Sequence, residues 1–139
     1  MSSDLSPYFG NKICRWLNNQ ADMPSRPTNL YIALFNGNPK TSGTEVGATI
    51  NSGAPRQEVT FADIASGASH LLTSDIAVDF GNAEGAATFT HVALYDNATP
   101  GSGNLYASKV VSGGTVSVLV NSSVKFQSGG ITFNIGSDT

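Results

Sequence analysis

The hydrophobic pattern changes its period once along the chain. Near the N-terminus Phe9, Ile13, Trp16 and Leu17 fall at offsets 0, 4, 7 and 8, one face of a 3.6-residue repeat, while Asn11, Lys12, Arg15 and Asn18 take the other side. Ser6 stands directly before Pro7. A serine oxygen accepts a free backbone N–H at a helix start, and proline fills the first helical position without losing a needed donor. The spacing therefore predicts a helix over residues 7–18, weakened by about 1 kcal/mol at Gly10 relative to alanine. Pro24 and Pro27 predict an extended connector over residues 19–29, because proline disfavours helix for itself and its predecessor.

After Asn29 the period is two. Leu30-Tyr31-Ile32-Ala33-Leu34-Phe35 has no charge on either face and reads as a central strand, stopped by Asn36-Gly37-Asn38-Pro39. A loop through Gly43, Gly47 and Gly53 leads to a strand at 57–61, and further strands are predicted at 74–80, 88–95, 104–111, 116–120, 124–126 and 131–135. Ile76, Val78 and Phe80 alternate with Ala77 and Asp79, and Ile131, Phe133 and Ile135 with Thr132 and Asn134, the pattern of one dry and one wet face. Gly113-Gly114 and Gly129-Gly130 mark tight turns. Short strands recurring about every ten residues after one helix predict a mainly β chain: an antiparallel β-sandwich or jelly-roll-like barrel with one short N-terminal α-helix. The expected organisation is a single domain over 1–139, with helix and connector at 1–29 and the sandwich at 30–139.

Composition removes several function classes. The chain has 139 residues; Gly, Ser, Thr and Asn number 15, 17, 12 and 12, whereas charged residues are only 12%. That argues against a helical bundle, which uses Ala, Leu, Glu and Lys, and 40% apolar residues argue against disorder. Net charge is -3. Between Gln57 and Ser108 there is no basic residue but there are Glu58, Asp63, Asp75, Asp79, Glu84 and Asp96, so neither nucleic acid nor an anionic membrane is an expected partner. The N-terminus lacks the basic region and apolar core of a signal peptide, so synthesis in a cytosol is expected. Residues 1–4 and 136–139 have the composition of fraying tails.

Candidate chemistry is sparse. His70 and His91 are the only histidines, and His70, in a Ser-rich turn region, has no assigned role. His91 lies on the face expected to hold Phe89, Ala93 and Tyr95, and five residues of strand put Asp96 about 16 Å away on the opposite face, too far for a catalytic pair. No Gly-x-Ser-x-Gly elbow occurs. Cys14 stands beside Arg15 without a nearby histidine and is expected to be a buried structural thiol. One cysteine and two histidines match no zinc spacing. Asp75 and Asp79 fall about 13 Å apart along a strand, outside glycosidase geometry. Asp96-Asn97 could contact calcium, but the EF-hand loop signature is missing. No catalytic, cofactor or metal site is expected. Glu45 and Arg56 bracket the Gly-rich loop and are expected to pair and hold its ends, with a ligand-binding Arg56 as the alternative.

These landmarks, in this order, resemble a family of small bacteriophage virion proteins commonly described as tail-fibre proteins. The correspondence runs through the Leu-Tyr-Ile-Ala-Leu-Phe strand at 30–35, Gly43-Thr44-Glu45-Val46, Arg56-Gln57-Glu58-Val59-Thr60-Phe61, Thr90-His91-Val92-Ala93-Leu94-Tyr95-Asp96, Gly103-Asn104-Leu105-Tyr106, and the closing stretch from Val124 to Thr132. The resemblance implies a non-enzymatic virion component, either a tail-fibre module or a capsid decoration or cement protein. It implies partners that are further copies, as a homotrimer, and other virion proteins such as major capsid or tail proteins. Phe9, Ile13, Trp16, Leu17 and Arg56 are the interface candidates. A carbohydrate-binding module recognising a host surface glycan, through Trp16 or Tyr95, is the second reading, and a hydrolase the third, with its acid, base and nucleophile all unassigned.

Overall fold

The computed structural model describes residues 4–64 and 70–135. The outermost residues of both expected tails lie outside these ranges. The elements in chain order are α1 (Pro7–Leu17), β1 (Leu30–Asn36), β2 (Thr44–Glu45), α2 (Gly47–Ile50), β3 (Gln57–Val59) and β4 (Leu71–Thr73). They continue with β5 (Val78–Asn82), β6 (Ala87–Phe89), β7 (His91–Tyr95), β8 (Leu105–Val110), β9 (Val116–Val118), β10 (Ser123–Phe126) and β11 (Thr132–Asn134).

All strand pairs among the described residues are antiparallel. One five-stranded sheet has the order β2-β1-β7-β8, and β3 shares with β2 the free side of β1, pairing Leu30 with Val59 where β2 pairs Phe35 with Glu45. Three two-stranded ribbons, β5 with β10, β4 with β11 and β6 with β9, form the opposing layer. Ile32, Leu34, Val92 and Leu94 point from the sheet into the main core and meet Val78, Phe80, Phe89, Val118, Val124 and Phe133 from the ribbons. The layers do not close into a barrel, so the sandwich half of the sequence expectation describes the chain and the jelly-roll-like barrel does not.

The charge-free β1 is central, as its pattern requires: Ile32, Ala33 and Leu34 are fully buried. The segment expected as one strand at 88–95 is instead two, and Thr90 is the corner. Its N–H donates to Phe35 O (2.8 Å), its carbonyl accepts from Val111 N–H (2.8 Å), and its hydroxyl accepts from Gly37 N–H (2.8 Å). With its polar groups satisfied there, the chain leaves the ribbon β6–β9 and enters the sheet. The corner shifts the side-chain phase, so Phe89 enters the main core while His91 takes the other face with Ala93 and Tyr95; the expected sharing of one face by Phe89 and His91 is corrected.

Other boundaries also move. The strand expected at 74–80 starts at Val78 and runs to Asn82, leaving Ile76 exposed. The strand expected at 116–120 stops at Val118, and Leu119 and Val120 stand exposed in the turn that follows. The expected loop between Gly43 and Gly53 contains β2 and the single helical turn α2, and β4 was not expected.

Helix α1 docks by one end. Ser6 Oγ accepts the Phe9 N–H (3.1 Å) and donates to the Leu105 carbonyl of β8, so one buried hydroxyl caps the helix and fastens it to the sheet edge. Tyr8 and Phe9 pack edge-on against Tyr106, with ring centroids 5.8 and 5.0 Å apart. Ahead of the helix, Ser108 N–H donates to Asp4 O (2.9 Å) and Asn134 N–H to Asp4 Oδ2 (2.7 Å), stitching β8 to β11 through the N-terminal segment.

Ser6→Ala removes both the cap and the tie to β8. We expect it to lower stability by about 1–3 kcal/mol, read as a reduced midpoint in urea unfolding, with the circular dichroism of the strands unchanged.

Candidate functional site

The outer face of the five-stranded sheet carries Ala33 and Phe35 of β1 and Ala93 and Tyr95 of β7. Phe35 and Tyr95 stack, with centroids 6.1 Å apart and planes 14° from parallel. The Arg56 guanidinium lies over the Tyr95 ring at 3.9 Å. Arg56 is 4% exposed although it is a permanent cation. Its charge is met by a two-pronged pair with Glu45, Nε to Oε2 and Nη2 to Oε1, both 2.8 Å. Nη1 donates to the carbonyls of Asn97 (2.9 Å) and Ser102 (3.0 Å). Arg56 thus joins the start of β3, strand β2, the loop 96–104 and the face of β7.

The local sequence allows this approach. A side chain at Gly47 would place its Cβ 2.0 Å from the Pro55 carbonyl oxygen, so only glycine lets α2 lie against the residue before Arg56. Gly103 has φ +85°, and a Cβ there would sit 2.6 Å from Asn97 Cβ and Asp96 Oδ1. The loop 96–104 is also internally bonded: Asp96 Oδ1 accepts Asn104 N–H (2.7 Å), Asp96 Oδ2 accepts Asn104 Nδ2 (3.2 Å), and Asn97 Oδ1 accepts Thr99 N–H (2.8 Å). It presents its carbonyls to the guanidinium already arranged. The expected Glu45–Arg56 pair is therefore present and spans more than the two ends of one loop. Arg56, one of the interface candidates, faces inward, with at least four of its five N–H donors bonded inside the chain.

The remaining candidates do not converge. His91 Nδ1 is 2.8 Å from Thr90 Oγ1, while Asp96 is engaged by Asn104 and, at 3.3 Å, by the Tyr106 hydroxyl. Burial, then Lys40, lowers the His91 pKa. Burial raises that of Tyr95 against the opposing pull of Arg56, with Glu45 adding to the rise. Burial and the Asp96 charge, with Tyr8 contributing, push Tyr106 up to about 12. Asp75 accepts from the Thr60 hydroxyl and Asp79 from Gly81 N–H, so both serve local structure. Cys14 is exposed, correcting the expected buried thiol. Among the described residues no group of three or more His, Cys, Asp or Glu could hold a metal ion.

The α1 stripe is divided. Phe9 and Ile13 are half-buried, whereas Trp16 is 52% and Leu17 72% exposed. Of the two rings named for a glycan, Tyr95 is engaged by both Phe35 and Arg56, and Trp16 is accessible. A feature with no signal in the sequence is an apolar groove of about 490 Å³ beside α1, lined by Phe9, Leu30, Ile64, Leu71, Tyr106 and Ile135 among others. His70 is among its lining residues. No period-two pattern announces Leu71 and Leu72, which follow a Ser-rich stretch. No helix among the described residues is long and apolar enough to cross a membrane.

A family model described as Podophage GP4 fiber I protein gp80 matches residues 4–134. The chain belongs to this phage fibre family. No curated protein matches it.

Two outcomes follow from the site. Glu45→Ala and Arg56→Ala should each cost about 3–5 kcal/mol, because either leaves a charge or its acceptors without partners in a buried place. The double variant should cost clearly less than the sum, as measured by a urea-unfolding cycle. Tyr106 favours its neutral form in the fold, so its contribution is full below its unfolded pKa of 10.0 and is lost as pH rises toward about 12. Unfolding midpoints taken from about pH 9 to about pH 12 should fall in the native chain and fall less in Tyr106→Phe.

Proposed function

We propose that this member of the fibre family is a non-enzymatic structural protein of the bacteriophage virion, an oligomeric surface module working in the tail fibre or as a decoration that clamps neighbouring coat subunits. The family match across residues 4–134 carries the reading. The geometry supports it. The polar groups that a catalytic site would need are spent on structure: Asp96 on a loop, His91 on Thr90, and Arg56 on Glu45 and two carbonyls. The Arg56 junction fixes the loops of one sheet face, so a neighbour would meet a preorganised surface with little ordering cost.

The proposed partners are further copies of the chain, as a homotrimer, and other virion proteins such as major capsid or tail proteins, without nucleic acid or membrane. Short Ser, Thr and Asn side chains lose little entropy on contact, and a surface poor in charge loses little on desolvation. Many weak contacts repeated by particle symmetry then add up. Proposed synthesis in the host cytoplasm precedes incorporation into the particle.

Immunogold electron microscopy of purified virions, with antibodies raised against this chain, should place gold on the fibre or at the head surface. Gold absent from intact particles, with the chain detected only in the unassembled fraction of the lysate, would contradict the proposal.

A further inference from the structure

Of the asparagines in the chain, only Asn36 is followed by glycine. In such a pair the backbone nitrogen of the second residue can attack the side-chain carbonyl carbon of the first, and glycine, without a Cβ, puts nothing in the way. Asn36 is the last residue of β1, opposite Thr44 of β2, and it is exposed. Among the described residues its carboxamide has no hydrogen-bond partner. The attacking nitrogen, by contrast, is held. Gly37 N–H donates to Thr90 Oγ1 at 2.8 Å, at the corner where the chain changes layer. While that bond stands the proton is not free to leave, and pairing with Thr44 keeps Asn36 extended, away from the near-planar ring that closure requires. The turn behind is tightly packed. A Cβ on Gly43 would lie 2.5 Å from the Gly37 carbonyl oxygen, and Gly43 N–H donates to Asn38 O at 2.8 Å.

We propose that Asn36 is a site of spontaneous covalent modification gated by the Thr90 hydroxyl. When the turn opens, Gly37 N gives its proton to hydroxide from the solvent and bonds to Asn36 Cγ. The Cγ–Nδ2 bond breaks, and the side-chain nitrogen leaves as ammonia, taking up a proton from water. Water then opens the cyclic imide at either of its carbonyls, giving an aspartate or an isoaspartate. Both products add a negative charge at the end of β1, and the isoaspartate also adds a carbon to the backbone. The close approach of Gly37 and Gly43 has no room for that carbon, so the isoaspartate chain loses either the pairing with Thr44 or the bond to Thr90. The modification thus acts on the corner that leads β6 into β7. Because it needs an open turn, its rate is that of the unfolded sequence multiplied by the fraction of time the turn is open.

Peptide mapping by mass spectrometry, with isoaspartyl methyltransferase to mark the isoaspartate, tests this on the full chain held at mildly alkaline pH. Conversion at Asn36 should be at least about tenfold slower in the native fold than in guanidinium chloride. Thr90→Val keeps the branched shape and removes the acceptor. With circular dichroism reporting its fold, it should convert at least about threefold faster than the native chain, the factor that one net hydrogen bond supplies. Thr90→Ser, which keeps the hydroxyl, should convert close to the native rate. Hydrogen exchange gives a reading that needs no variant: protection of the Gly37 amide should match the ratio of unfolded to folded conversion rates, since both processes need the same opening. Conversion as fast in the native fold as in denaturant, a folded Thr90→Val chain that converts at the native rate, or Gly37 protection more than about tenfold away from that ratio would each overturn the proposal.

Discussion

The Arg56 guanidinium is a positive charge held where water scarcely reaches. Removing it from water is costly, and the cost is met only because Glu45 returns two charge-assisted hydrogen bonds, Asn97 and Ser102 each return one, and Tyr95 offers the face of its ring. Those partners come from segments far apart in the chain. The interaction therefore acts as a geometric condition: strand β2, the start of β3 and the loop 96–104 must arrive together for the charge to be satisfied. Gly47 and Gly103 are required by the same condition, because any side chain at either would hold the backbones apart. Such an arrangement adds little net stability compared with an apolar substitute, but it is specific about which loops meet.

What was legible in the sequence was what local chemistry decides. The Ser6-Pro7 start, the 3.6-residue stripe and the charge-free run from Leu30 describe α1 and β1 closely, because caps, period and burial on both faces leave marks in consecutive residues. The Glu45–Arg56 pair was legible as two charges bracketing a glycine-rich loop. Its reach to Asn97 and Ser102 was not, because a backbone carbonyl leaves no trace in residue identity. The corner at Thr90 was hidden for a related reason. A threonine inside Thr-Phe-Thr-His-Val fits a continuous strand, and only the bonds to Phe35, Gly37 and Val111 reveal that the chain changes layer there. Ile76, Leu119 and Val120 obey a strand pattern yet lie outside strands and are exposed, since alternation records which residues could be buried and says nothing about the partner available to cover them. The thiol of Cys14 was misplaced because burial statistics for cysteine carry no information about a helix that docks at one end.

The surface of the molecule differs from place to place. On the outer face of the five-stranded sheet, Arg56 and its loops are held by bonds within the chain. Elsewhere, α1 leaves Trp16 and Leu17 in solvent, as the turn after β9 leaves Leu119 and Val120. Membership in a phage fibre family accords with a chain whose polar chemistry is spent on holding its own loops in place.

The most direct test of the central claim is native-state hydrogen exchange on an Arg56→Met chain. The amides of Val46 and Asn51 lie on the Glu45 side of the junction, and those of Ser102 and Asn104 on the loop 96–104. If Arg56 couples these segments, both sets should lose protection together while the amide of Ala83, bonded to Ser122 in the opposing layer, keeps its native rate. Native protection at Ser102 and Asn104 in the variant would show that the loop holds itself without the arginine and would contradict the account.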